Sequence, residues 1–195
     1  MSRQPIKTWV VVIGGFTQRE NSLSGIVRLW RDLHARMESA EAVVSLRTWN
    51  SRWADLAEHI FLIQQDQGER LKVAVFAYSW GAGFGFVQLS KELNRRGIPV
   101  EVAVLSDPVY CSPWYSFRWL AMTSWRKIVV PNNVRVVQWF FQRQDKPQSQ
   151  GLVCADPQRT QLVPGEELDR SHVYMDDSNQ FHEACHAAAE ALWSA

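Results

Sequence analysis

Ser79, His172 and either of two aspartates, Asp107 or Asp145, occur in the chain in the order serine, acid, histidine. A serine hydroxyl is a poor nucleophile at neutral pH. It attacks a carbonyl only when a neighbouring base takes its proton and an acceptor holds that base in the right tautomer, so these three residue types together can perform acyl transfer. Ser79 lies in AYSWGAG (Ala77 to Gly83), after the apolar run LKVAVF and before FGFVQLSKEL, which reads as a helix. At such a strand-to-helix turn a serine has two possible roles: it caps the helix, or the strained turn lifts its hydroxyl clear of the sheet toward a substrate. A second constellation points to different chemistry. His182-Glu183-Ala184-Cys185-His186 has the HExxH spacing that puts two zinc-binding histidines and a general base on one helix. It lacks an HxxGxxH extension, Glu190 falls in the same short helix, and Phe181, Cys185, Ala188 and Leu192 form an ordinary core-facing stripe. Neither a metal nor a cofactor is expected.

The elements that must position these residues alternate along the chain. Strand-like runs cover 9–15, 42–48, 72–78, 99–106 and 134–141, and all but the last are nearly continuous in apolar residues, as in strands buried on both faces of a parallel sheet. Leu23, Ile26, Val27, Trp30, Leu33 and Met37 recur at helical spacing behind a cap at Asn21 or Ser22. Trp53, Leu56, Ala57, Ile60 and Ile63 mark a second helix, and Phe86, Val87 and Leu93 a third that stops at Gly97-Ile98-Pro99. This order predicts a three-layer α/β/α sandwich with a mostly parallel central sheet, and the length suits one domain over 1–195. The segment 142–170 reads as a long polar loop.

Composition removes other classes. With 21 basic and 20 acidic residues spread along the chain and a net charge of +1, there is no electrostatic footprint for nucleic acid. No run reaches membrane-spanning length and no signal-peptide pattern opens the chain, so the expectation is a cytoplasmic protein without stable membrane insertion. Cys111, Cys154 and Cys185 are far apart and odd in number, which reads as reduced structural thiols. Nothing in the pattern specifies an oligomeric state.

Ligands of parallel α/β sheets bind beyond the carboxyl ends of the strands, where Gly14-Gly15-Phe16-Thr17, Ser79-Trp80 and Asp107-Pro108 lie. AYSWG resembles the nucleophile-elbow motif GxSxG, with Ala77 in place of its first glycine. Together with the matching elements on both sides, the chain from Trp9 to Trp193 resembles a compact, minimal member of the α/β-hydrolase superfamily. That resemblance implies Ser79 as nucleophile and His172, in SHVYMDDSNQFHEA, as base. Superfamily precedent favours Asp145, after the last long strand, as the acid. Asp107 sits directly at a strand end, held extended by Pro108, and is narrowly preferred. The oxyanion donors are expected to be the amides of Trp80 and Phe16, with Gly14 and Gly15 either allowing close approach or forming a plain turn. Gly15, Thr17 and Trp114 are expected to line the substrate pocket. The aromatic segment 110–131, with Trp114, Phe117, Ala121, Trp125 and Ile128 at near-helical spacing, is either a helix packed on the sheet or a small lid. The implied activity is cleavage of a small-molecule carboxylic ester or thioester with an apolar group. An inactive hydrolase-fold binding module and an acyltransferase of the same fold are the alternatives.

Overall fold

The computed structural model describes residues 5–16, 18, 23–37, 41–110 and 127–194. Strand β1 (Thr8–Ile13) is followed by helix α1 (Gly25–Met37), β2 (Ala42–Arg47), α2 (Trp53–Gln67) and β3 (Lys72–Tyr78). A π-helical turn at Gly81–Gly85 then runs into α3 (Phe86–Arg95) and β4 (Val100–Ser106). Strands β5 (Ile128–Val130), β6 (Val134–Phe141), β7 (Leu152–Cys154), β8 (Gln161–Leu162) and β9 (Glu166–Glu167) follow. A 3₁₀ turn at His172–Asp177 and a C-terminal helix, Asn179–Trp193, complete the order.

The main sheet runs β2-β1-β3-β4-β6, with β8 and β9 pairing to successive stretches of β6, and each of these pairings is parallel. Alternation along the central strands explains their apolar sequence. Val11, Ile13, Val73, Val75 and Ala77 share one core with Trp53 and Ile60 of α2 and Phe86 and Leu89 of α3. Val10, Val12, Ala74 and Phe76 share the other with Ile26, Leu29 and Leu33 of α1 and Phe181 and Cys185 of the C-terminal helix. Both faces of each central strand therefore meet a helix, which is why these strands read as nearly continuous apolar runs. The result is a three-layer α/β/α sandwich. Among the described residues, no helix is long and apolar enough to cross a membrane.

Three local expectations are corrected. Segment 142–170 is not one loop: it contains β7, β8 and β9, and Gln142, Gln150, Thr160 and Leu168 in it are buried. Strands of two or three residues are too short to show a period. Ile128 does not continue a helix from the aromatic segment. It begins β5, which pairs in parallel with β7 in a separate two-stranded sheet, while 111–126 lie outside the described residues. Leu23 precedes α1 and is 85% exposed, so the apolar stripe starts at Ile26. The candidate caps Asn21 and Ser22 lie outside the described residues; the Ile26 N–H donates to the Asp176 carboxylate at 3.0 Å, from 150 residues away.

The π-helical turn packs tightly. A Cβ built on Gly83 would lie 2.1 Å from the Val109 carbonyl oxygen, a backbone atom that cannot swing aside. Gly83→Ala should therefore destabilise the protein by about 1–3 kcal/mol and lower its melting midpoint by several degrees, as overpacking does. Thermal unfolding followed by circular dichroism measures this, and an unchanged midpoint would mean that the turn does not press on residue 109.

Candidate active site

Tyr78 and Ser106, the last residues of β3 and β4, are register partners, so Ser79 and Asp107 leave the sheet side by side. The Ser79 N–H donates to the Ser106 carbonyl at 2.9 Å and the Asp107 N–H to the Phe140 carbonyl at 2.8 Å, which carries the ladder one rung further. There the backbone changes hand. φ is +54° at Ser79 and +43° at Asp107, in the left-handed region where residues with a Cβ are strained. Asp107 is therefore not extended, as the following proline suggested. An extended residue would carry β4 straight on, whereas the left-handed one turns the chain and leaves the carboxylate fully buried behind Ser79.

The 3₁₀ turn brings His172 to both. Its Nε2 is 3.0 Å from Ser79 Oγ, and its Nδ1 is 2.5 Å from Asp107 Oδ2. An ionised carboxylate only accepts, so Nδ1 carries the proton and Nε2 is left to accept from the serine hydroxyl. Ser79 is 4% exposed and His172 8%. The Asp107 carboxylate is fixed from behind by Gln142, whose Nε2 donates to Oδ2 at 3.1 Å and whose N–H reaches Oδ1 at 3.4 Å.

Asp145 is close by but bonds to main chain and hydroxyl rather than imidazole. Its Oδ1 accepts from the His172 N–H at 2.8 Å and its Oδ2 from the Ser171 hydroxyl at 2.5 Å. Burial pushes its carboxyl up, but the Ser171 and His172 donors outweigh that and hold it below its ordinary value.

No protein-family model matches the chain, and no curated protein does. Among solved structures it is similar to RedJ, a thioesterase from the prodiginine biosynthetic pathway of Streptomyces coelicolor. The identity is 12% over 94% of this chain and 85% of that one, with a TM-score of 0.51. The chain has the α/β-hydrolase fold. Similarity also extends to a putative hydrolase of the α/β superfamily from Xanthomonas campestris pv. campestris (15% identity over 97% of this chain and 99% of that one, TM-score 0.47). It extends further to ClbQ from the colibactin NRPS/PKS pathway (9%, 96% and 98%, TM-score 0.45).

Within the α/β-hydrolase fold, the departure at Ala77 has a simple basis. Ala77 is the last β3 residue on the α2/α3 face and packs in that core. The glycine on the other side of the serine has no such room: a Cβ on Gly81 would lie 2.6 Å from the carbonyl oxygens of Ile13 and Gly14. The β1 loop thus crosses directly over the turn. Gly15 lies against the site, where a Cβ would stand 3.2 Å from Ser79 Cβ and 3.0 Å from the Tyr78 ring. The Phe16 ring packs on Trp80 at 4.2 Å between centroids and, with Trp49 at 5.0 Å from Trp80, forms an aromatic wall beside the serine. Thr17 and Trp114 lie outside the described residues. A cavity of about 710 Å³ lined by Arg70, Asn94, Ile98 and Arg135 flanks the starts of β4 and β6, at the far end of the strands from Ser79.

In the HExxH stretch, Cys185 packs in the same core as Phe181, and His182 Nε2 donates to the Asp176 carbonyl at 2.8 Å. Sequence reasoning gave no role to Tyr78, Gln142, Gln18 or Asp176. The Tyr78 hydroxyl donates to the His172 carbonyl at 2.8 Å, and burial, reinforced by Asp176 and Asp107, raises its pKa far above the usual phenol value, so it stays a donor. Its place beside Ser79 was the one local clue, since the other three are ordinary polar residues, each with a partner at the site that is distant in sequence: Gln18 with Asp176, Gln142 with Asp107 and Asp176 with Ile26.

Because the Asp145 carboxyl is held below its ordinary value, its charge stabilises the fold at pH values above that ordinary value, about 3.9, and the contribution is lost as pH falls through the lowered one. Asp145→Asn should therefore melt below wild type at neutral pH, with the gap closing once the pH drops below about 4. Melting curves across pH check this; a constant gap would mean that the carboxylate charge contributes nothing.

Proposed function

We propose that the chain is a serine hydrolase that cleaves a carboxylic ester or thioester with an apolar group through an acyl-enzyme on Ser79. The observation that carries this reading is the continuous contact from Ser79 Oγ through the His172 imidazole to a buried Asp107, on a strand-to-helix turn with positive φ. A serine that merely capped α3 would need neither a buried imidazole nor a left-handed backbone.

In the first step His172 Nε2 takes the hydroxyl proton as Ser79 Oγ bonds to the substrate carbonyl carbon, and the carbonyl π electrons move onto oxygen. Asp107 holds the imidazolium that forms. The Trp80 and Phe16 amides are the proposed donors to the oxyanion; the Gly15 N–H is already committed to Gln18 Oε1 at 2.8 Å, which leaves Phe16 as the next amide of that loop. On collapse, the bond to the leaving alkoxide or thiolate breaks, and His172 Nε2 returns the proton to it. Water, deprotonated by the same nitrogen, then attacks the acyl-serine, and the acid leaves with Ser79 restored. The wall of Phe16, Trp49 and Trp80 offers the acyl or alcohol group an apolar surface, with Phe16 48% exposed. No metal or cofactor enters these steps.

Fluorophosphonate labelling with peptide mapping, alongside turnover of a short p-nitrophenyl ester and an acyl thioester, tests the reading. Ser79→Ala should abolish labelling and turnover while unfolding like wild type; a mutant that kept wild-type turnover would disprove the assignment. Asp107→Asn presents the imidazole with the wrong tautomer and should lower turnover by several orders of magnitude, on the order of 10⁴-fold in the best-studied triad. Asp145→Asn should cost about tenfold or less. The reverse ranking would hand the acid's role to Asp145.

A further inference from the structure

The turn that carries His172 also carries Asp176, a carboxylate that the acyl-transfer steps do not use. Asp176 is 2% exposed. Its Oδ2 accepts from Gln18 Nε2 at 2.6 Å and from the Ile26 N–H at 3.0 Å. The other end of the Gln18 amide, Oε1, accepts from the Gly15 N–H at 2.8 Å, and the Gln18 N–H closes a turn onto the Gly15 carbonyl at 3.3 Å. The chain of contacts thus runs from the His172 turn, through one side-chain amide, into the loop beside Ser79.

We propose that Asp176 and Gln18 are positioning residues that orient the loop after β1, so that its amide faces the oxyanion formed at Ser79. The inference rests on the reading of Ser79 as nucleophile. The orientation is unambiguous: a carboxylate at one end of Gln18 demands a donor and a peptide N–H at the other demands an acceptor, so one amide orientation satisfies both. With the Gly15 N–H and the Gly15 carbonyl both occupied by Gln18, the peptide planes on either side of Gly15 are held, and the Phe16 amide belongs to the second of them. The His172 turn is itself pinned. Ser106 Oγ donates to the Met175 carbonyl at 2.9 Å, Tyr78 Oη to the His172 carbonyl at 2.8 Å, and His182 Nε2 to the Asp176 carbonyl at 2.8 Å. The base and the oxyanion loop are therefore referenced to one rigid segment. Capping α1 would need only a neutral acceptor, yet a carboxylate is buried here, and burial pushes its pKa up.

Gln18 separates this role from helix capping, because its loss leaves Asp176 on Ile26. Gln18→Leu should lower kcat for a p-nitrophenyl ester by roughly 10- to 100-fold, less than removal of a whole oxyanion donor, with KM within about twofold and the melting curve close to wild type. Gln18→Glu should be at least as poor, since it sets a carboxylate against Asp176. Amide hydrogen exchange at Gly15 should be slow in wild type and fast in Gln18→Leu. Wild-type kcat in Gln18→Leu, or Gly15 exchange as slow in that variant as in wild type, overturns the inference and leaves the hydrolase reading standing. A wild-type Ser79 that takes up no fluorophosphonate overturns that reading, and this inference with it.

Discussion

One imidazole has to be reached from two neighbouring strands at once, and much of the structure follows from that constraint. Ser79 and Asp107 follow the paired ends of β3 and β4, so they emerge adjacent, and both take a left-handed backbone to bring their side chains to His172. Each such residue costs on the order of 1–3 kcal/mol, which persists only where the surroundings over-determine it. They do so here. The Ser79 carbonyl accepts from the N–H groups of Gly83 and Val109, locking the elbow to both the π-helical turn and the segment after Asp107. Gln142, the residue after β6, holds Asp107, and Asp145 holds the His172 amide.

The parallel sheet supplies the adjacency without further design. Because the strand order reverses at β1, with β2 on one side and β3 on the other, the loop after β1 and the turn after β3 meet at the crevice where ligands of such sheets bind. Glycine at 81 then decides how closely they meet, since the Ile13 and Gly14 carbonyls occupy the space where a side chain would stand. The aromatic wall of Phe16, Trp49 and Trp80 draws on the loops after β1, β2 and β3 in turn.

What the sequence made legible was whatever is periodic or local. The strands of the central sheet and the three helices between them followed from apolar runs and three-and-four spacing, because burial on a face imposes a period. AYSWG was visible because a sharp turn demands small residues within a five-residue window. The short strands within 142–170 were not visible. Two or three residues cannot show alternation, and these strands are defined by distant partners, β8 and β9 by the edge of β6 and β7 by β5. The conformation of Asp107 was misjudged for a related reason: the preference of a pre-proline residue is a local energy, and it is outweighed by three long-range contacts to His172 and Gln142.

The polar residues around the site share a property that hides them from any single-sequence reading. Tyr78 to His172, Ser106 to Met175, Asp145 to His172 and Asp176 to Ile26 are separated by between 27 and 150 residues, and each is a hydroxyl or carboxylate satisfying one backbone group. Such bonds contribute little net energy individually, but leaving a buried partner unsatisfied costs the full desolvation of that group. Their effect is specificity of position more than stability. In particular, the 172–177 turn, which has few ladder bonds of its own, is fixed by side chains from β3, β4, the C-terminal helix and the loop after β6. A base carried on so short an irregular segment could sample many orientations if only the Asp107 contact held it. Anchoring the segment's own carbonyls and amides restricts the imidazole before any substrate arrives, which is what accepting a single serine O–H at 3.0 Å requires.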